Sequence, residues 1–179
     1  MKIQVIYASN TGNTEQIAKA VYKAIPDPSK DIQRMSAFRE DPDAETYFVG
    51  FWTNRGSASY EILDILSSLH GKNIALFGTC GMGGSPEYYR EIENQVSAFI
   101  PDDNIYLGAF LCQGKMPMRV REKYLAMETD DNQAQVQRML RNFDEALLHP
   151  NDDDLHEAWM FVENVFKKIE SYRKQEREK

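Results

Sequence analysis

Short apolar runs alternate along this chain with longer segments in which apolar residues return every three or four positions. The runs are Ile3-Gln4-Val5-Ile6-Tyr7-Ala8, a weaker stretch from Asp31 to Ser36, Tyr47-Phe48-Val49-Gly50-Phe51, Ile74-Ala75-Leu76-Phe77, and Asn104 to Cys112. The periodic segments between them carry Ile17, Ala18, Val21, Ala24 and Ile25, then Ile62, Leu63, Ile65, Leu66 and Leu69, then Tyr89, Ile92, Val96, Phe99 and Ile100. A short bounded run predicts a strand, and the three-to-four spacing predicts a helix with one buried face. Strands separated by single helices pair in parallel through right-handed crossovers rather than as hairpins. The expected fold is α/β: a three-layer sandwich around a five-stranded parallel sheet in the order 2-1-3-4-5, with Asp31–Ser36 at an edge.

Beyond Gly114 the pattern changes to helices alone. Two segments, Arg119 to Met127 and Asn132 to Leu148, precede a break at His149-Pro150, and the second has a stripe of Val136, Met139, Leu140, Phe143 and Leu147. A last helix places Leu155, Ala158, Trp159, Val162, Val165, Phe166, Ile169 and Tyr172 at helical steps, a stripe expected to close one face of the sheet with Trp159 in the core. Residues 1–179 are expected to form one domain, with 116–150 as a helical addition before the closing helix. Gly71 is expected to stop the second helix, and Pro86 to open the third.

Composition narrows the function classes. With 179 residues and 42% hydrophobic content, one well-buried core is within reach. A net charge of −7 disfavours a phosphate backbone as partner, so no nucleic acid is expected. The apolar runs fall well short of the roughly 20 residues that span a bilayer, so no membrane insertion is expected. The chain opens directly on a strand without a visible secretory signal, which points to a cytoplasmic setting. Cys80 and Cys112 are spaced neither as a redox pair nor as a metal site and read as small buried hydrophobes. His70, His149 and His156 lie near helix ends without metal-ligand spacing, and Asp152-Asp153-Asp154 reads as a charge cluster at a helix N-terminus.

The chemistry gathers in three loops that the topology brings to one rim, outside the carboxyl ends of the strands where the winding reverses. The first is Ser9-Asn10-Thr11-Gly12-Asn13-Thr14, between a strand and a helix N-terminus. Its hydroxyls, its glycine and the free amides of the first helical turn suit an anion, whereas the Lys of a G-x-x-x-x-G-K-[ST] nucleotide loop is absent. A phosphate monoester held by neutral donors is expected. The second is Trp52-Thr53-Asn54-Arg55-Gly56-Ser57, with a large aromatic at the strand end. The third is Gly78-Thr79-Cys80-Gly81-Met82-Gly83-Gly84-Ser85, whose glycines let main-chain amides approach a flat ring. Together they describe a site for a planar heteroaromatic with a phosphate tail, a description that flavin mononucleotide (FMN) fits.

Through its S-x-T-G-N-T loop and five-strand order, the chain resembles the flavodoxin-like family from Met1 to about Gly114. The resemblance implies FMN as cofactor, electron transfer as activity, and redox proteins as partners. It implies that Ser9, Asn10, Thr11, Gly12, Asn13 and Thr14 bind the phosphate. Trp52, flanked by Phe51 and Thr53, would lie against the isoalloxazine. Asn54 to Gly56 would stand beside the flavin N5, where flavodoxins turn a backbone carbonyl, and Thr79, Cys80, Gly81, Met82, Gly83 and Gly84 would line the other side. The stacking Tyr of long-chain relatives has no counterpart in the third loop, and Tyr88 and Tyr89 fall in the following helix. Gly50-Phe51-Trp52-Thr53 with Gly56, and Phe110-Leu111-Cys112-Gln113-Gly114-Lys115, resemble a narrower group, the flavodoxin-like proteins of gut anaerobes associated with bilirubin reduction. The function implied is low-potential electron donation to a partner reductase, the negative fold disfavouring the reduced anion. The alternative is an NAD(P)H-dependent FMN or quinone reductase.

Overall fold

A computed structural model describes residues 1–83 and 85–178. Its five strands are β1 (Ile3–Tyr7), β2 (Lys30–Arg34), β3 (Thr46–Trp52), β4 (Asn73–Cys80) and β5 (Ile105–Gln113). They form one parallel sheet in the order β2-β1-β3-β4-β5, as the alternation predicts. Its helices are α1 (Asn13–Ala24), α2 (Tyr60–Ser68), α3 (Pro86–Ser97), α4 (Met118–Ala126), α5 (Gln133–Ala146) and α6 (Asp152–Arg177).

Because side chains alternate along a strand, the central strands feed two separate cores. Val5, Phe48, Ala75 and Phe77 face α1 and α6, meeting Ile17, Val21, Val162 and Val165. Ile6, Tyr47, Val49, Phe51, Ile74 and Leu76 face α2 and α3, meeting Ile62, Leu66, Ile92 and Val96. Each fully buried Val, Leu, Ile or Phe side chain among them contributes roughly 1.5–3 kcal/mol relative to exposure. In β5 the register against β4 slips between Ile74 and Ala75, where Tyr106 is followed by Gly108 as partner. That bulge puts Leu107 and Phe110 on the same face despite their odd separation.

Several boundaries differ from the sequence expectation. β4 runs to Cys80, so Gly78, Thr79 and Cys80 are ladder residues and the third loop begins at Gly81. α3 ends at Ser97, leaving Phe99 exposed beyond it, and Leu147 at the end of α5 is exposed as well. The expectation for Trp159 is corrected. Ala158, Val162, Val165 and Ile169 form the buried line of α6, and Trp159, one residue off it, is 44% exposed with its indole N–H donating to Glu163 Oε1 at 3.3 Å. Asn151 caps α6 through a reciprocal box with Asp154, so the acidic cluster there serves the helix start.

Candidate functional site

Four loops, not three, meet at the carboxyl edge of the sheet. The first begins with Gly12, which takes φ +90° as the N-cap of α1, a conformation open to glycine and strained for other residues. No side chain caps this helix. Gln16 N–H is the first to bond back, to Gly12 C=O, so the amides before it point out of the helix end without intrahelical acceptors. Capping therefore does not account for the polar side chains of this turn. Ser9 Oγ accepts from Gly12 N–H at 3.2 Å, and Asn13 Nδ2 donates to Thr11 Oγ1 at 3.0 Å. Thr14 is buried and shares a 2.9 Å hydroxyl bond with Thr79 of β4, which fixes the turn to the sheet.

The second loop leaves β3 at Trp52 and closes a tight hairpin turn. Asn54 and Ser57 exchange backbone bonds of 2.7 and 3.1 Å around Arg55 and Gly56, which both have positive φ, at 52° and 86°. That is the arrangement of a primed hairpin turn, and Arg55 is the non-glycine residue that bears its strain. Thr53 N–H donates to Thr79 C=O at 2.8 Å, extending the ladder one residue beyond β3.

The third loop is held from outside. Gly81 C=O accepts from Gln113 Nε2 at 3.1 Å and from Asn142 Nδ2 at 3.0 Å, and Gly83 N–H donates to Asn142 Oδ1 at 3.2 Å. Gln113 ends β5 and Asn142 lies on α5. The fourth loop, Gly114 to Pro117, completes the rim. Gly114 N–H donates to Cys80 C=O at 2.9 Å, and Lys115 C=O accepts from Asn13 Nδ2 at 2.9 Å, so the loops after β5 and β1 are tied directly.

Between these loops lies a cleft of about 420 Å³, within the roughly 300–1,000 Å³ range of small-molecule sites. Of the residues expected at a site, Asn10, Thr11, Asn13, Trp52, Thr53, Gly56, Thr79, Cys80, Gly81 and Met82 line it. Ser9, Gly12 and Thr14 shape the first turn instead. Asn54 points to the outer side of its hairpin, and Gly83 spends its N–H on Asn142. Phe51 is corrected: it is fully buried in the core facing α2 and α3, because alternation turns it away from the rim. Gly84 lies outside the described residues.

The structure adds residues that reading the three loops missed. Tyr88 lines the cleft from the first turn of α3, so the aromatic lacking in the third loop is supplied one helical turn later. Burial raises its phenol above the ordinary range, with smaller contributions from Cys80 and Glu91. Burial likewise pushes the Cys80 thiol up to about 12, partly offset by a hydrogen bond with Tyr89. Met116, Pro117, Arg119 and Val120 form a wall. Cations also reach the site: Arg34 donates to Ser9 C=O at 2.7 Å, and Arg55, Lys115 and Arg119 line the cleft. The first loop itself carries no cation; Arg55 comes from the second loop, and Lys115 and Arg119 come from the chain beyond β5.

One buried atom points to a ligand. Among the described residues, Thr53 Oγ1 is the buried side-chain oxygen that has no hydrogen-bond partner, and Thr53 lines this cleft. A buried polar atom left unpaired costs about 1–3 kcal/mol, so a polar ligand atom is its natural complement.

The model of the flavodoxin domain family matches residues 4–163. The chain belongs to that family. With the flavodoxin domain come FMN as cofactor and electron transfer as activity, and the cleft is compatible with such a group: it is lined by the aromatics Trp52 and Tyr88 and by Thr53, whose buried hydroxyl is unpaired. The chain is 35% identical over 170 residues to the flavodoxin-like domain-containing protein BilS of Clostridioides difficile, covering 92% of this chain and 96% of that protein. It is 32% identical over 176 residues to BilS of Clostridium symbiosum, covering 87% and 90%. The fold is that of the flavodoxin of Streptococcus pneumoniae TIGR4, with a TM-score of 0.60 at 16% identity over 94% of this chain and 99% of the other. No helix among the described residues is long and apolar enough to cross a membrane.

Proposed function

We propose that this flavodoxin-domain protein seats one FMN in the cleft between Trp52 and Tyr88 and carries electrons singly to a partner reductase. The observation that carries the reading is the unpaired Thr53 Oγ1 in a cleft bounded by an uncapped helix end. When bound, the flavin supplies the redox chemistry, and the protein supplies binding, orientation and the local field. The amides before Gln16 and the side chains of Asn10 and Thr11 receive the phosphate. Trp52 and Tyr88 offer apolar walls, and the Arg55-Gly56 turn presents backbone at the ring edge. Asn142 and Gln113 hold the Gly81 carbonyl in place, so the third loop meets the ligand already ordered.

The narrower resemblance supports a bilirubin-reducing enzyme as the recipient. The potential is set less by the net charge than by what lies nearest, and the cleft lining holds three cations and no carboxylate. Local Coulomb terms of that sign raise the potential above what −7 alone implies. Stepwise photoreduction of the FMN-loaded protein tests the reading, with absorbance expected to fall in two one-electron phases. Bleaching in one two-electron step, together with steady oxidation of NADH or NADPH by the isolated chain, would assign a stand-alone reductase instead. Failure to take up added FMN would end both.

A further inference from the structure

The wall that α4 contributes to the cleft has an outer side with its own character. No residue of α4 is buried, although the helix packs against α5. Met118 is 57% exposed and Leu125 44%, and being seven residues apart they fall on one line along the helix. Arg119 and Lys123, four apart, fall on the adjacent line, and Lys115 precedes the helix. Arg121 is occupied by Asp144, with Nε 3.7 Å from the carboxylate. Among the described residues, Lys115, Arg119 and Lys123 have no carboxylate within ion-pair distance. From Lys115 to Met127 four cations face a single carboxylate, Glu122, in a chain of net charge −7. The same mixture recurs on the other lips of the cleft, where Met82 is 45% exposed and Arg55 also lines a neighbouring hollow that includes Tyr60, which is 91% exposed. Met, Tyr and Arg are the residue types that interfaces enrich.

We propose that Lys115, Met118, Arg119, Lys123 and Leu125 form the docking face for an acidic surface of the electron-transfer partner, seated over the mouth of the cleft. The inference rests on the FMN reading, because electron transfer falls steeply with distance and only a partner at this mouth approaches a ring held beside Trp52. Charge complementarity selects the occupant. A local positive field in a negative molecule orients an acidic partner toward α4 and repels it elsewhere, and such steering raises the encounter rate while salt weakens it. The exposed Met118 and Leu125 supply the apolar contact that remains when salt screens the charges.

The test uses the full chain, with and without added FMN, and a fluorescein-labelled amphipathic peptide whose helical faces are Glu and Leu. A peptide with Lys in place of Glu is the control. Fluorescence anisotropy at low salt is expected to show binding of the acidic peptide that weakens about tenfold in the variant M118E/K123E and on raising salt to about 0.3 M. These two residues lie on α4 outside the cleft lining, so FMN uptake is expected to be unchanged. With the FMN-loaded, photoreduced protein, the acidic peptide is expected to slow reoxidation by ferricyanide. Acidic-peptide binding that is absent, or indifferent to M118E/K123E, overturns the proposal. A salt-sensitive dimer of the chain that the same variant dissolves also overturns it, by assigning the face to a second copy. Loss of the FMN reading would show separately, as peptide binding by a chain that takes up no flavin.

Discussion

Asn142 Nδ2 donates to the carbonyl oxygen of Gly81 at 3.0 Å, joining α5 to a cleft-lining loop 61 residues away in sequence. The same amide accepts from Gly83 N–H through Oδ1 and meets Gln113 Nε2 at 3.1 Å. The helical segment after β5 thereby acquires a physical purpose: it carries the side chain that holds the Gly81 and Gly83 backbone of the cleft wall. A net hydrogen bond is worth about 1 kcal/mol, so the bonds from Asn142 to Gly81 and Gly83 are together a sizeable contribution to ordering this wall.

Replacing Asn142 by Ala is therefore expected to weaken FMN binding by roughly five- to tenfold and to lower stability by about 1–3 kcal/mol. Asn142→Asp keeps acceptors for Gly83 and Gln113 but removes the donor to Gly81, and an intermediate loss is expected. Flavin fluorescence titration and urea unfolding measure the two quantities. FMN affinity unchanged in the Ala variant would remove α5 from the site.

Thr53→Val is expected to act with opposite signs on the two forms of the protein. Without FMN the change deletes an unpaired buried hydroxyl, and stability is expected to hold or rise by up to about 1 kcal/mol. FMN affinity is expected to fall about tenfold, roughly 1.4 kcal/mol. Thermal melts of both forms separate the effects. A parallel loss in both would mean that the hydroxyl serves packing alone.

Gly12 tests backbone conformation in isolation, because a Cβ built there meets nothing within 4 Å. Its φ of +90° nevertheless makes Gly12→Ala cost about 1–2 kcal/mol. Gly12→Asn is expected to recover part of that, since Asn tolerates positive φ better. Denaturant midpoints decide, and an Ala variant as stable as the parent would show that the turn relaxes.

Both cysteines are buried, and burial raises both thiols, Cys80 up to about 12. Below the ordinary thiol range both folded and unfolded chains are protonated, so the thiols add no pH dependence there. Above about pH 9 the unfolded chain releases protons that the folded chain retains, and stability is expected to fall by up to about 1.4 kcal/mol per pH unit for each thiol until the folded value is passed. Thiol reagents at pH 8 are expected to react only on unfolding. Rapid labelling of Cys80 in the native protein would contradict its burial.

Strand and helix succession was legible because buried runs and helical stripes are local properties of neighbouring residues. Ser9 to Thr14 and Trp52 to Gly56 were legible as loops at the carboxyl edge of the sheet for the same reason, each being a continuous segment at a strand end. Phe51 and Trp159 show the limit of that reading. In a run buried on both faces, composition does not say which side a ring takes, and one residue's offset on a helix carried Trp159 into solvent.

What the sequence alone determined is the order of elements, the parallel sheet and the glycine and hydroxyl chemistry of the loops, all decided by residues within a few positions of one another. Only the tertiary structure decided which distant groups complete the cleft: Tyr88 and Val120 in its walls, Lys115 and Arg119 among its charges, and Asn142 as its brace. The reason is physical. Propensity and periodicity act along the chain, whereas a hydrogen bond or a Coulomb contact depends on separation in space, and only the packed sheet and helices set that separation.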